Sequence, residues 1–405
     1  MKKICFITPG HICSNPRLVK EAATLSNVGY LVHIIFIQNL SFLNQYDLEI
    51  LKNNPSWTYN ILNNLNLSGW HYFKKNTKVI CHKLANFSLR IQFNHFSALF
   101  SLNRNYCWQL KTAIKSQADL YIAHNLGALP VAVNAAKKNK AKCGFDAEDF
   151  HRNEVSDDPN NTDVKLKKFI ENQYLTQTDY LTTASSLIYT AYKFLYPNLK
   201  LTIINNVFEL KHQPKLNLGT KTGLKLFWFS QTIGKNRGLE DVIEALNLIN
   251  NPLIELHLLG SLSVENASYF NQLAHFEIKY YSPVSPDQIF ELAATFDLGL
   301  AMEQNIPLNR DICLTNKIFT YLISGLAIIA SDTEAQKEFM TSNALIGELY
   351  PIGDVIKLAG IITKLFNNRD LLNTYRENSY ELAKSKYNWE KEQEKFLAII
   401  KSLLS

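Results

Sequence analysis

The stretch LTNKIFTYLISGLAIIASD, Leu314 to Asp332, joins a Thr-Asn-Lys start to an apolar segment, a glycine and a short aliphatic run. Thr315 is placed to cap a helix, and Ile318, Phe319, Tyr321, Leu322 and Ile323 give its turns a wide apolar face. Gly325 can end that helix in a left-handed conformation, after which AIIA reads as a strand buried on both faces. Such a strand belongs in a parallel sheet covered by helices, where ligands collect at strand ends and helix N-termini. On this reading Asn316 and Lys317 face an anion.

The same logic extends in both directions. ICFIT opens the chain as a buried strand, a Pro-Gly loop follows, a helix runs from about Pro16 to Ser26, and LVHIIFI is the next strand. DLYIAH, KCGFDAE, YLTTAS and LTIINNV are further strands, with helices over ALPVAVNAAKKNK and from Val164 to Thr178. After the polar segment Lys211 to Gly223 a second series begins. It reads LKLFWFS, a helix from Leu239 to Ile249, IELHLLG, a helix near Val264 to His275, IKYYSP, a helix from Asp287 to Ala294, then DLGLAM and the opening stretch. NWEKEQEKFLAIIKSLL closes the chain as an Asn-capped amphipathic helix. The predicted architecture is α/β: two Rossmann-like, doubly wound domains facing across a cleft. Residues 1–210 form the first domain, 211–223 the linker and 224–385 the second, with the helix at 386–405 a candidate to pack back on the first.

The 405 residues, 46% of them hydrophobic, suit two to three globular domains. MKKICFITPG carries two lysines, but Pro9 and Gly10 interrupt it before a signal-peptide core forms, and nothing later spans a bilayer. The six cysteines lack CxxC pairs or neighbouring metal-ligand histidines, which speaks against a disulfide framework or structural zinc and for a reducing cytoplasm. Charge is unevenly spread: Ile50 to Ala118 holds nine Lys or Arg and no Asp or Glu. Trp57, Trp70, Tyr72, Phe73, Phe87, Phe93, Phe96, Phe100, Tyr106 and Trp108 lie among those cations. That mixture suits an anionic membrane surface or a nucleic acid, and no nucleic-acid-binding module is recognisable.

Several strings, in order along nearly the whole chain, resemble the GT-B-fold glycosyltransferases, most closely glycosyltransferase family 4. FITPGHICSNPRLVKEAATL is similar to that family's first loop and helix, DLYIAHNLGALPVAVNAAKK to its HxHD-type segment, and FDAEDFH to its D-A-H-E strand end. TIINNVFE resembles the strand before its linker, and FSQTIGKNRGLEDVIEAL its donor-phosphate loop. YYSPVSPDQIFELAATFDLGLAM with NRDICLTNKIFTYLISGLAIIASD resembles its nucleotide-sugar segment.

The resemblance implies a retaining, metal-independent transferase that uses a nucleoside-diphosphate sugar as co-substrate and no cofactor. Its donor side would comprise Gln231, Gly234, Gly260, Asp311, Leu314, Thr315, Asn316, Lys317 and Thr320. Lys235 and Arg237 would meet the charge that builds on the departing diphosphate, assisted by the helix tip at Asn316. Gln231 stands where the family usually has arginine, and Thr320 where it has the ribose-binding glutamate. Glu303 and Asp311 are the carboxylates left nearby. His124 matches the family's cleft-edge histidine, with a sugar hydroxyl or a proton as its partner, and Asn125 replaces the usual Asp beside it. Gly10, Ser14, Asn15, Arg17 and His151 would form the acceptor side, while Asp146, Glu148 and Asp149 read as hydrogen-bonding groups rather than metal ligands.

The implied activity is transfer to a glycan or lipid-linked oligosaccharide in surface-polysaccharide synthesis, on the inner face of the cytoplasmic membrane, with the basic segment docked on anionic lipid. A sugar-nucleotide epimerase of the same fold and a catalytically silent scaffold are the alternatives. A dehydrogenase would need GxGxxG after the first strand, where FITPGHICSNP stands.

Overall fold

Aliphatic runs without polar alternation become parallel strands covered on both faces. In the structure, a computed structural model, β1 (Lys3–Ile7), β2 (Leu31–Gln38), β3 (Thr58–Asn63), β4 (Leu120–His124), β5 (Lys142–Ala147), β6 (Tyr180–Thr183) and β7 (Leu201–Ile203) form one sheet. Its order is β3-β2-β1-β4-β5-β6-β7, with every neighbouring pair parallel. A second sheet holds β8 (Leu224–Ile233), β9 (Ile254–Leu262), β10 (Ile278–Tyr281), β11 (Leu298–Ala301), β12 (Ala327–Ser331) and β13 (Gly347–Tyr350), in the order β10-β9-β8-β11-β12-β13. It too is parallel throughout. The structure describes residues 1–65, 69–91, 93–218 and 222–405, and the side chains of these except 69–76 and 90. Residues 219–221 of the expected linker and the side chains of Trp70, Tyr72 and Phe73 lie outside the described residues.

Both sheets run outward from their first strand and then restart on its other side. The order reverses between β1 and β4 in one sheet and between β8 and β11 in the other. At such a point the loops leaving two adjacent strands diverge to opposite faces and open a crevice at the carboxyl ends. The two halves of the chain thus follow one doubly wound plan, as predicted.

The chain divides into two compact units, Met1–Ile204 with Gln393–Ser405, and Asn205–Glu392. The helix Trp389–Leu404 is shared out at Gln393, whose side-chain oxygen accepts a hydrogen bond from Thr24 at 3.2 Å within the first unit. Asn388 caps this helix, its carboxamide oxygen accepting from the Lys391 amide at 3.0 Å. Core residues come from the strand interiors, with Phe6, Ile34, Ile122 and Phe145 fully buried in the first unit and Leu226, Trp228, Leu258 and Ile329 in the second.

Two strands escape the sequence reading, and both are edges. β3 shows exposed and half-buried positions only, and β13 is a four-residue strand buried fully only at Tyr350. A strand with one free side has no need of a continuous aliphatic run. The helix expected over Val164 to Thr178 spans Thr162–Tyr174, because Asn161 caps it by accepting from the Asp163 amide at 2.9 Å. A separate 3-10 turn, Leu175–Gln177, follows.

Candidate functional site

The order reversal of the second sheet is where the donor-side residues gather. β8 breaks register with β9 between Phe229 and Thr232. Gly260, with φ 154°, makes this approach possible, since a Cβ there would lie 2.4 Å from the Ser230 carbonyl oxygen. The Arg237 guanidinium folds back on the strand end, donating from Nη1 to Ser230 Oγ at 2.6 Å and from Nη2 to Thr232 Oγ1 at 3.4 Å. Gly238, with φ 75°, follows it and packs on the chain leaving β11, where an added Cβ would stand 2.8 Å from Met302 Cβ.

Beside Met302, Glu303 is fixed through its backbone: its amide donates to Ser331 Oγ at 2.9 Å, and its carbonyl accepts from that hydroxyl at 2.7 Å. Its carboxylate accepts from Thr315 Oγ1 at 3.1 Å and from Lys317 Nζ at 2.6 Å. Lys317 also lies over the Trp228 ring of β8, 5.8 Å from its centroid. Arg237, Glu303, Lys317 and the start of the helix Asn316–Ile323 are therefore all placed by the carboxyl ends of β8 and β11. Thr315 occupies the cap position of that helix but turns its hydroxyl to Glu303 and makes no cap bond. The first-turn N–H groups are left without a side-chain partner from the cap, and no acid lies in that turn. The helix Leu239–Ile249 differs, having Glu240 and Asp241 in its first turn.

Other expected donor residues have different surroundings. Lys235 points away from Arg237, because Asn236 between them takes φ 58°. Its ammonium lies 3.6 Å from Glu265 and 4.4 Å from the Tyr269 ring centroid. Asp311 accepts from the Glu334 amide at 3.0 Å and so serves the start of the helix Glu334–Ser342. Thr320 and Leu314 are buried, Gly234 is half-buried, and Gln231 is exposed at the end of β8. Ser230, Thr232, Trp228 and Ser331 complete the cluster without having been singled out in the sequence. A hydroxyl pair flanking the end of LKLFWFS was the available signal for the first two.

The corresponding point of the first sheet holds a buried ionic network. Arg17, expected on the acceptor side, lies in the helix Pro16–Asn27 and is 0% exposed. It donates to Asp146 from Nε at 2.6 Å and Nη2 at 2.7 Å, and from Nη1 to the Ile204 carbonyl. Glu21, one turn along the same helix, lies 3.9 Å from Arg17 Nε.

His124, expected at a cleft edge, is instead 0% exposed, with Nε2 3.1 Å from Glu21 Oε2 and Nδ1 3.4 Å from Asp146. Burial opposes its charging, but Glu21 and then Glu148 and Asp146 outweigh that and raise its pKa to about 10. Burial holds Glu21 above the usual carboxylate range, whereas Arg17 keeps Asp146 below it against its own desolvation. The physical picture is one proton shared by Glu21 and His124, which with Arg17 balances two carboxylates. The ring is thus enclosed within the first unit, between Glu21 and Asp146.

Asn15 caps the Pro16–Asn27 helix by accepting from the Leu18 amide at 3.0 Å. His151 is buried with Nδ1 3.4 Å from Glu154. Ser14 is exposed, and Gly10 and Glu148 are half-buried, so these three remain accessible at the strand ends.

Two groups of potential metal ligands occur among the described residues. Arg17 already covers Asp146 in the group with Glu21 and His124. In the group His11, Cys13 and Asp47, the ring accepts at Nε2 from the Asn39 and Leu40 amides and donates from Nδ1 to Asp47 at 2.6 Å.

No protein-family model matches the chain, and no curated protein matches its sequence. Solved structures do match it end to end. Sucrose-phosphate synthase from Thermosynechococcus elongatus superposes with a TM-score of 0.72 at 13% identity, over 100% of this chain and 99% of its own. A glycosyltransferase from Rickettsia africae ESF-5 gives 0.71 at 14% identity, with 100% and 99% coverage. Anabaena HepE in complex with UDP-glucose gives 0.69 at 16% identity, with 100% coverage of both chains. With two parallel sheets of like order, these likenesses establish that the chain has the two-domain, Rossmann-like GT-B fold.

Proposed function

We propose that the chain is a glycosyltransferase that moves a sugar from a nucleoside-diphosphate donor, with retention of configuration, in the manner of glycosyltransferase family 4. The observation that carries this reading is the placement of Arg237, the Lys317–Glu303 pair and the uncapped helix start at Asn316 by the strand ends where β8 and β11 diverge. Negative charge grows on the leaving diphosphate as the glycosidic bond breaks, and fixed donors aimed at it lower the barrier most. Arg237 has donor hydrogens beyond the two that hold Ser230 and Thr232. Lys317 is held by Glu303, whose carboxylate would lie against the transferred sugar. Lys235 would join only after leaving Glu265. UDP-glucose bound to Anabaena HepE supports the same donor class.

The acceptor in this reading is a glycan or lipid-linked oligosaccharide of surface-polysaccharide synthesis, met on the cytoplasmic side at Gly10, Ser14 and Glu148. No metal and no cofactor takes part, and positioning replaces a protein nucleophile. A panel of UDP-, GDP- and ADP-sugars tests it, with melting temperature reporting binding and released nucleoside diphosphate reporting turnover. The expected result is stabilisation by one donor class and slow hydrolysis of the same donor. Absence of both with every donor refutes the reading. A rearranged donor sugar without released diphosphate selects an epimerase, and binding without turnover selects a silent scaffold.

A further inference from the structure

From Ile80 onward, the helix Gly69–Ile91 presents apolar side chains on two opposite faces. Its inner face carries Ala85 and Leu89, 8% and 6% exposed. On that side His82 donates to the Phe100 carbonyl at 2.8 Å and Asn86 accepts from Ser101, which ties it to the helix His95–Leu102. At roughly 100° per residue, Ile80, Leu84, Phe87 and Ile91 line up on the side facing away from those contacts. They are 56%, 62%, 61% and 73% exposed, and Phe96, at the start of the next helix, is 70% exposed.

A single exposed aliphatic needs no explanation, but a continuous row along three turns marks a face that is covered in use. The charge around it indicates what covers it. Lys83 shares the exposed face, and the chain from Ile50 to Ala118 has nine Lys or Arg and no Asp or Glu.

We propose that this face is a membrane-docking surface, with Ile80, Leu84, Phe87 and Ile91 sunk into the interface of an anionic bilayer. The arrangement matches an interfacial helix whose apolar row enters the acyl boundary while flanking cations meet lipid phosphates. The inner face, which a free amphipathic helix would give to water, is here occupied by the protein. A second copy of the chain would bury the same row but would bring two basic, acid-free segments together. Among the described residues no helix is long and apolar enough to cross a membrane, so the helix lies on the bilayer.

Co-sedimentation of the full chain with vesicles tests the proposal, using phosphatidylcholine alone and phosphatidylcholine with one third phosphatidylglycerol. The protein should pellet with the anionic vesicles and stay in solution with the neutral ones. Leu84→Glu with Phe87→Glu should weaken partitioning roughly a hundred-fold. Leu84→Ser with Phe87→Ser should also weaken it, without adding charge, and neither variant should shift the melting temperature because all replaced side chains are exposed. Three results overturn the proposal: no pelleting, equal pelleting with both vesicles, or a wild-type dimer in light scattering that these substitutions dissolve. Partitioning is read without any donor, so failure here leaves the transferase reading standing.

Discussion

Asp146→Asn strikes the one carboxylate that holds Arg17 inside the first unit. In the native chain the guanidinium delivers two bonds to Asp146, at 2.6 and 2.7 Å, and Thr182 donates a third at 2.5 Å. The carboxamide keeps the shape but turns an NH2 group toward a donor and removes the charge. Arg17, fully buried, then keeps one neutral acceptor at position 146, with Glu21 at 3.9 Å and the Ile204 carbonyl. Breaking a buried pair by removing one partner costs roughly 3–5 kcal/mol. For a unit of this size that lowers the melting temperature by roughly 6–20 °C. Calorimetry of Asp146→Asn, Arg17→Met and the double variant supplies the assay. The double variant removes both charges, so the cycle should show a coupling of about 2 kcal/mol or more. A loss below about 1 kcal/mol in Asp146→Asn, or single effects that simply add, would refute the claim that this ion pair ties the helix Pro16–Asn27 to β5.

Stability should fall as pH rises above neutrality. The folded chain holds a proton between Glu21 and His124 up to about pH 10, whereas an unfolded histidine releases it near 6.5. The folded state then binds more protons than the unfolded state in that window, and the loss reaches at most about 1.4 kcal/mol per pH unit. Urea midpoints at about pH 7 and about pH 9.5 should drop less in His124→Gln than in the wild type, and equal drops contradict the shared proton. Glu303→Gln should lower kcat roughly a hundred-fold or more while the donor KM changes less than about three-fold, and wild-type kcat would remove Glu303 from the reacting sugar. Gly238→Ala forces a Cβ to within 2.8 Å of Met302 Cβ at φ 75°. It should destabilise the loop by about 1–3 kcal/mol and raise the donor KM several-fold as Arg237 shifts, and an unchanged KM counts against that placement.

The order of elements was legible because buried parallel strands announce themselves. Ile34 to Ile37 and Ile328 with Ile329 leave no polar face, so only a sheet covered on both sides accommodates them. β3 and β13 have a free edge and no such run, and they were missed. Site residue types were legible, but their surroundings were not. Arg17, Glu21, His124 and Asp146 come from three distant stretches, and only the Arg17–Glu21 spacing of one helical turn could be seen locally. Lys235 and Arg237 look like one basic cluster in sequence. The positive φ of Asn236 sends them to different partners, a turn geometry that composition does not reveal. Asp311 looked equivalent to Glu303 until its carboxylate was found serving the next helix.

Binding of a nucleoside diphosphate to the wild-type chain and to Arg237→Ala, measured side by side by titration calorimetry, tests the central claim most directly. One of UDP, GDP or ADP should bind the wild type and bind Arg237→Ala at least about ten-fold more weakly, with the melting temperature of the free variant unchanged. Equal affinity in the two proteins, or binding of none of the three to the wild type, would contradict a diphosphate site where β8 and β11 diverge.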